Sequence, residues 1–477
     1  MKQHGPTDAH GAGALGAPGA PHDALPRGTP GYVLPDVRRA SRHLRSVAAT
    51  LAAVVVLTAA IAGVTRQVRG VPADVPTVTE RALDGRTDGM RAIEYGQKLV
   101  AASPDDPRAL VTLASAYLYR VRETADPSLY AKADGLLQRA LALAPNDADV
   151  AMSLGSLANS RHDFAGGLEW GRRAVEAAPA RAAAWGVLTD SLVELGRYEE
   201  AVAAAQHMVD LRPDLASLSR VSYVRELHGD LDGAIDAMRR AVTAGAPTGE
   251  ATAWSQVQVG HLLFAKGDLD GALAEYEGAS HRIDGYVYAT AGKARVKAAR
   301  GDLVGAAALY EGAAGALPLP EFVIALGDTY ARMGDRTRAD QQFALVRAMN
   351  ALFAANGVRT DVDLALFDAD HLTDVDGALR AARAEYAVRQ SVHVADTLAW
   401  AEYRAGLEDD ALRHSVEALR LGSQDPLMLY RAGVIAAGGG DTARARSLLM
   451  RSAELNARFS LLFADDLASR LAVLGAR

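Results

Sequence analysis

One stretch of the chain concentrates side chains that could do chemistry. Residues 361–378 read DVDLALFDADHLTDVDGA, with six aspartates and one histidine. Closely spaced carboxylates suit a calcium loop, and the adjacent Asp370 and His371 could belong to an unrecognised catalytic site. An EF-hand loop needs oxygen ligands at positions 1, 3 and 5 and glycine at position 6. Counted from Asp368, positions 5 and 6 are leucine and threonine, so the calcium interpretation fails.

Helical spacing favours another reading of the same stretch. It places Asp363, Phe367 and Asp370 on one helical face. We therefore expect a solvated acidic face with aspartates that cap helices. An unrecognised catalytic site around Asp370 and His371 stays as an alternative.

Other signatures of catalysis are missing from the sequence. It contains no cysteine, which excludes disulfides, thiolate metal sites and cysteine nucleophiles. It also lacks a P-loop, a GxGxxG after a strand, HExxH and GxSxG. His4, His10 and His22 are too sparse for a metal-binding tail. We expect no enzyme activity, no cofactor and no metal.

The elements that would position any site come from an internal repeat. Small residues recur at steps of 33–39 residues, and four prolines recur at steps of 34. The small residues are Ala133, Gly167, Ala201, Ala234, Ala272, Ala306, Ala339, Ala378, Ala411 and Ala445, and the prolines are Pro145, Pro179, Pro213 and Pro247. Such a period is typical of a solenoid whose units stack on their neighbours.

A short corner sequence marks each unit. GDLDGA occurs at 229–234 and at 267–272, and GDLVGA follows at 301–306. In unit 181–214, apolar residues recur at helical spacing on both sides of Gly196. The pattern predicts two helices per unit. Glycine ends the first helix with positive φ, aspartate caps the second, and alanine lets the two helices touch.

The unit resembles the tetratricopeptide repeat. That family has Leu and Gly or Ala at positions 7 and 8, an aromatic residue at 11, Ala at 20 and 27, a large residue at 24, and Pro at 32. Residues 252–285 match with Val259, Gly260, Leu263, Ala272, Tyr276 and Ala279, and residues 320–352 match with Leu326, Gly327, Tyr330, Ala339 and Phe343. Gly167 departs from the alanine at position 20, and the first repeat carries extra residues.

The resemblance implies an all-α fold. It predicts an α-solenoid, a right-handed superhelix of about ten helix pairs over 90–457, with a capping helix at 458–477. The basic residues are overwhelmingly arginine, as in GC-rich bacterial genomes, so we expect a bacterial protein.

The resemblance also implies a binding face. Repeats of this family bind protein or peptide partners on the concave face, lined by positions 2, 5, 9 and 12 of each first helix. Aromatic and basic residues at these positions are candidate anchors for a partner. They are Tyr223, Trp254, His261, Tyr288, Arg295, Trp400, Tyr403 and Tyr430. The Lys and Asn pattern by which the family grips chaperone tails is missing, since position 5 holds Gly186, Ser219, Val257, Ala291 and Ile324.

The N-terminal segment predicts a membrane anchor. Residues 1–45 are rich in Gly, Ala and Pro and end in a basic flank, so we expect a disordered cytoplasmic tail. Residues 46–65 carry no charge and are long enough to cross a bilayer as one helix. Residues 66–89 would be a linker to an extracytoplasmic repeat domain. Cleavage of a signal peptide near Ala62 is the alternative.

Charge bears on the class of partner. The net charge is −7, and the residues after the uncharged segment carry 45 Lys and Arg against 55 Asp and Glu. An acidic body argues against a nucleic-acid partner. We therefore expect a membrane-anchored scaffold that binds a protein or peptide. A secreted or periplasmic adaptor and an enzyme or accessory arm remain as alternatives.

Overall fold

A computed structural model describes residues 88–475. This part of the chain forms 22 α-helices and no strand. The helices are α1 Asp88–Ala102, α2 Pro107–Thr124, α3 Ser128–Leu143, α4 Ala148–Ser160, α5 Phe164–Ala177, α6 Ala182–Glu194, α7 Tyr198–Leu211, α8 Leu215–Leu227, α9 Leu231–Ala244, α10 Glu250–Ala265, α11 Leu269–Arg282, α12 Val287–Ala299, α13 Leu303–Ala316, α14 Pro320–Arg332, α15 Arg336–Ala355, α16 Asp361–His371, α17 Val375–Tyr386, α18 Val392–Arg404, α19 Glu408–Ala418, α20 Pro426–Gly438, α21 Thr442–Asn456 and α22 Ala464–Gly475. From α2 to α21 they pack as ten consecutive pairs, as the repeat predicts.

The corner between paired helices has the predicted construction. After α8, Gly229 has φ +76°, and the Asp230 carboxylate accepts a hydrogen bond of 2.9 Å from the backbone N–H of Gly233. Ala234 is completely buried between α8 and α9. The functions predicted for glycine, aspartate and alanine in this corner are confirmed.

Glycines of the first helices leave room for an aromatic ring of the second helix. A Cβ on Gly260 would lie 2.4 Å from the ring of Tyr276, and one on Gly292 would lie 2.5 Å from the same ring. Tyr276 of α11 is fully buried between α10 and α12 as a result. Gly327 and Phe343 repeat the arrangement two helix pairs later.

Successive turns of the superhelix contact each other along a line that we call the seam. The Tyr198 hydroxyl accepts a hydrogen bond of 2.8 Å from the N–H of Val392, and Arg389 pairs with Glu194 at 2.9 Å. Residues joined in this way are 194 or 195 positions apart. One turn therefore closes after between five and six repeats.

Apolar side chains continue across the seam. Val392 and Met428 of the second turn join one buried cluster with Leu192 and Leu227 of the first. Since a continuous core bridges the turns, the repeats contact more than their chain neighbours, which is unusual for a solenoid.

The C-terminal segment leaves the stack of pairs. Residues 457–475, the C-terminal strap, end in α22 and return to the concave side. The buried Asn456 side chain just before the strap donates a hydrogen bond of 2.7 Å to the Phe264 carbonyl, and Arg458 donates one of 2.9 Å to the Ala299 carbonyl. The strap covers the inner helices in addition to ending the solenoid.

Helix α1 begins at Asp88, two residues before the predicted start of the repeat region. The predicted tail at 1–45, the membrane helix at 46–65 and linker residues 66–87 lie outside the described residues. Within 88–475, no helix combines the length and the apolar character that a bilayer crossing requires.

Candidate functional site

A cavity of about 900 Å³ opens on the concave face, and we call it the concave cavity. Its walls are the inner helices α10, α12 and α14, and the strap covers one side. Asp268, Asp302 and Asp335 cap the outer helices that support these walls. Because α10, α12 and α14 are the first helices of adjacent repeats, residues at equivalent repeat positions line the concave cavity.

The cavity brings together four of the eight predicted partner-binding residues. Trp254 and Tyr288 occupy position 2 of adjacent repeats, and His261 and Arg295 occupy position 9. Trp254 is 38% exposed although it is a large apolar residue. Repeat register alone therefore identified one wall of this space.

Aromatic rings form much of that wall. Tyr288 meets Phe322 edge to face, with ring centroids 5.7 Å apart. Burial, followed by the charges of Glu321 and Glu250, raises the pKa of Tyr288 to about 12. Its hydroxyl is therefore neutral at physiological pH and can donate or accept a hydrogen bond.

His261 is a neutral member of the site. Its Nδ1 lies 2.8 Å from the Tyr276 hydroxyl oxygen. Burial, with a smaller contribution from the charge of Arg295, lowers the pKa of His261 to about 3. His261 therefore contributes polarity and shape to the cavity and no positive charge.

Arg295 supplies the charge beside it. Its guanidinium carbon lies 4.0 Å from the centroid of the Phe264 ring, a cation–π arrangement. The side chain is half-buried and faces the cavity. It can donate hydrogen bonds to an acceptor inside this space.

Acidic residues also line the cavity. His371 Nε2 lies 2.8 Å from Asp328 Oδ1, and its Nδ1 lies 2.8 Å from the Phe367 carbonyl oxygen. Burial opposes a charge on His371, but the hydrogen bond and charge of Asp328 outweigh it and raise the pKa of the imidazole. Glu321, at position 2 of α14, also lines the cavity. Desolvation by the surrounding protein raises the pKa of its carboxyl group.

The prediction that Trp400 and Tyr430 line an open groove is wrong. Both have concave positions in the repeat, yet they are only 1% and 2% exposed. Phe463 of the strap packs against both rings, with centroids 5.9 Å from Trp400 and 5.1 Å from Tyr430. The Tyr430 hydroxyl donates to Asp466 at 2.6 Å. The chain's own C-terminal strap fills this half of the concave face.

The two other predicted anchors are separated from the cavity. Tyr403 is half-buried and stacks on Trp400, with ring centroids 5.5 Å apart. Tyr223 lines a much smaller pocket at the seam together with Glu226 and Met428. The structure therefore divides the eight predicted residues among three environments.

The acidic stretch of α16 and α17 is only partly as predicted. Asp374 caps α17 through the Gly377 N–H at 2.9 Å, which confirms a cap. On the predicted acidic face, Asp363 is exposed to solvent, but Phe367 is buried. Asp370 accepts hydrogen bonds from Trp400 Nε1 at 2.8 Å and from Arg431 at 3.1 Å, so this part of the face is not solvated.

Asp370 and His371 hydrogen-bond to different partners. Asp370 belongs to a buried network with Arg431 and Asp396, whereas His371 belongs to the pair with Asp328. Across the described residues, no group of three or more His, Asp or Glu side chains is arranged to hold a metal ion.

Sequence reasoning missed several cavity residues. Glu321 and Asp328 occupy concave positions 2 and 9, but the prediction considered only aromatic and basic residues at these positions and so left them out. The contribution of strap residues such as Phe459 has no signal in the repeat period, because the strap lies outside it.

Comparison with known proteins identifies the repeat. The tetratricopeptide repeat model matches residues 128–182 and 187–249, so the chain contains tetratricopeptide repeats. No curated protein matches the sequence.

Several solved structures are similar in part. The repeat protein TTC0263 of Thermus thermophilus is 21% identical, with coverage of 40% of this chain and 98% of its own and a TM-score of 0.36. YrrB, described as having an unusual peptide-binding site, is 18% identical, with coverage of 39% and 94% and a TM-score of 0.28. Human IFIT1, solved as a dimer with PPP-AAAA, is 12% identical, with coverage of 78% and 95% and a TM-score of 0.42. At such low identities and TM-scores, none of these likenesses bears on what this chain binds.

Proposed function

We propose that the protein is a scaffold that binds a segment of another protein in the concave cavity. The observation that carries this proposal is the set of side chains at equivalent positions of adjacent repeats around one open space of about 900 Å³. Pockets of this size that combine aromatic walls with a few polar groups are typical ligand sites. The partly exposed Trp254 is the kind of residue that contributes most to binding a partner.

Two substitutions test the proposal. A random peptide library displayed on phage is selected against the immobilised protein, and a selected peptide is titrated against variants. Trp254→Ala combined with Tyr288→Ala should weaken binding at least about tenfold, because both aromatic contacts are lost. Trp185→Ala, which removes a half-buried tryptophan outside the cavity, is the matched control. If the peptide binds the wild type, the double variant and Trp185→Ala with equal affinity, the binding surface lies elsewhere.

We further propose that residues 46–65 anchor this scaffold in a membrane. The absence of charge over twenty residues and the four arginines just before them support an anchor with a cytoplasmic N-terminus and an extracytoplasmic repeat domain. Membrane fractionation with protease treatment of intact cells tests this topology. A membrane-bound repeat domain that is digested from outside is the expected result.

Two other results would contradict the proposed topology or the anchor itself. A repeat domain that is protected until lysis would reverse the topology. A mature chain that begins just after Ala62, identified by its mass, would instead support a secreted or periplasmic adaptor.

A further inference from the structure

Arg295 is a charged residue of the concave cavity that has no acidic partner among residues 88–475. Its guanidinium carbon lies 4.0 Å from the centroid of the Phe264 ring. The other two arginines of the cavity are engaged. Arg332 pairs with Asp465 of the strap, and Arg458 donates to a backbone carbonyl at 2.9 Å. With respect to residues 88–475, the Arg295 guanidinium is therefore available to bind an acidic group.

Two half-buried arginines elsewhere in this fold show one kind of group that such a side chain binds. Arg220 of α8 makes two hydrogen bonds, of 2.7 and 2.6 Å, to the carboxylate of Asp190 in the preceding repeat. Arg389 pairs with both Glu385 and Glu194. A guanidinium withdrawn from water is stabilised by this bidentate, charge-assisted geometry. At Arg295, residues 88–475 supply the donors and leave the carboxylate position open.

The strap supplies an independent indication, because it occupies the other half of the same concave face. It places the Phe459 and Phe463 rings against Tyr430, and its carboxylates bind concave groups. Asp466 accepts from the Tyr430 hydroxyl, and the adjacent aspartate pairs with Arg332. The concave face thus already binds one segment in which aromatic residues are close to carboxylates.

We propose that Arg295 binds a carboxylate of the partner segment, while an aromatic side chain next to that carboxylate packs on Tyr288 and Phe322. The proposal rests on the proposed function of the cavity. Glu321 and Asp328 line the same space, so a singly charged carboxylate fits it better than a phosphate dianion. The carboxylate can come from a chain end or from an acidic side chain.

Three small probes separate these possibilities in the full-length chain. N-acetylphenylalanine carries a chain-end carboxylate, N-acetyl-Asp-Phe-amide carries a side-chain carboxylate, and N-acetylphenylalanine amide carries neither. Ligand-observed NMR titrations should show at least one acid binding about tenfold more tightly than the amide. The acid that binds more tightly identifies the source. Equal or undetectable binding of all three would overturn the proposal, as would tighter binding of phenyl phosphate.

Substitutions of Arg295 test whether this side chain causes the preference for the acids over the amide. Arg295→Met replaces the guanidinium by an uncharged, flexible side chain and should abolish the preference for the acids. Arg295→Lys keeps the charge without the forked donors and should retain part of it. Arg240→Met removes an exposed arginine outside the cavity and should change nothing. An unchanged preference in Arg295→Met would also overturn the proposal. The comparison of acids with amide in the unaltered protein stands even if that variant does not fold.

A failure of the carboxylate subsite can be distinguished from a failure of the proposed function of the cavity. If a selected peptide depends on Trp254 and Tyr288 but no probe depends on Arg295, the cavity binds partners and the carboxylate subsite is wrong. If neither dependence is found, both proposals fail.

Discussion

At the scale of the residue, the contact between superhelical turns changes the pKa of Glu226. It lies at the seam in a pocket of about 40 Å³ with Tyr223, His393 and Asp425. Burial, followed by the negative charge of Asp425, raises the pKa of Glu226 to about 7. The Asp425 carboxylate in turn caps α20 through two backbone N–H groups, at 2.7 and 2.9 Å, and is held in place.

Glu226→Gln should remove part of the pH dependence of stability. In the unfolded chain this carboxyl ionises near pH 4.5, whereas in the folded protein it ionises near pH 7. Its contribution to stability is therefore present below pH 4.5 and is lost as the pH rises to 7. Between pH 5 and pH 8, the wild-type free energy of unfolding should fall by about 2 kcal/mol more than that of the variant.

Urea denaturation at the two pH values measures this difference. Glu277→Gln changes an exposed glutamate and should keep the wild-type pH dependence. Identical pH dependence in wild type and Glu226→Gln would show that the seam does not hold this carboxyl neutral.

At the scale of the element, two nearly identical corner sequences have different surroundings. Gly267 and Gly301 both have positive φ, at +83° and +85°. A Cβ on Gly267 would lie 2.3 Å from the Leu455 carbonyl oxygen of the second turn, whereas a Cβ on Gly301 would contact nothing within 4 Å. The first glycine is thus required both by its own backbone conformation and by the close approach of another backbone.

A pair of alanine substitutions separates these two requirements. Gly301→Ala should cost about 1–2 kcal/mol, because alanine is disfavoured at positive φ. Gly267→Ala should cost about 1–3 kcal/mol more, because the seam must also move apart. Denaturation gives the total loss, and amide hydrogen exchange of residues 455–463 shows whether the seam loosens. Equal losses for both variants would mean that the seam adapts at this point without cost.

At the scale of the whole molecule, the strap determines how much of the concave face is available. It covers the rings of Trp400 and Tyr430 with Phe463, which is itself buried. It also forms one side of the concave cavity through residues such as Phe459. The strap therefore stabilises the later repeats and limits the size of the site that remains open.

Phe463→Ala should destabilise the protein by about 3–5 kcal/mol, the usual cost of removing a buried phenylalanine. The loss should be accompanied by faster amide exchange over residues 459–475, because the strap is held largely by these rings. Val473→Ala, at an exposed position of α22, should change stability by less than about 0.5 kcal/mol. Unchanged exchange of the strap in Phe463→Ala would show that other contacts hold it.

Much of the fold followed from the sequence because repeat structure is local. Gly229, Asp230 and Ala234 each act within one corner, so their types and spacing predicted the helix pairs. The same register placed Trp254 and Arg295 on one wall of the cavity, since equivalent positions of adjacent repeats must share a face.

Tertiary structure decided which of these concave positions stay open. Trp254 and Trp400 are both tryptophans at concave positions of the repeat. Trp254 lines the concave cavity, whereas Trp400 is buried beneath the strap. The repeat period describes contacts between neighbouring units only. The seam joins residues that are 194 or 195 positions apart, and the strap lies outside the repeat. Those contacts depend on the accumulated twist of several repeats, which no short stretch of sequence encodes.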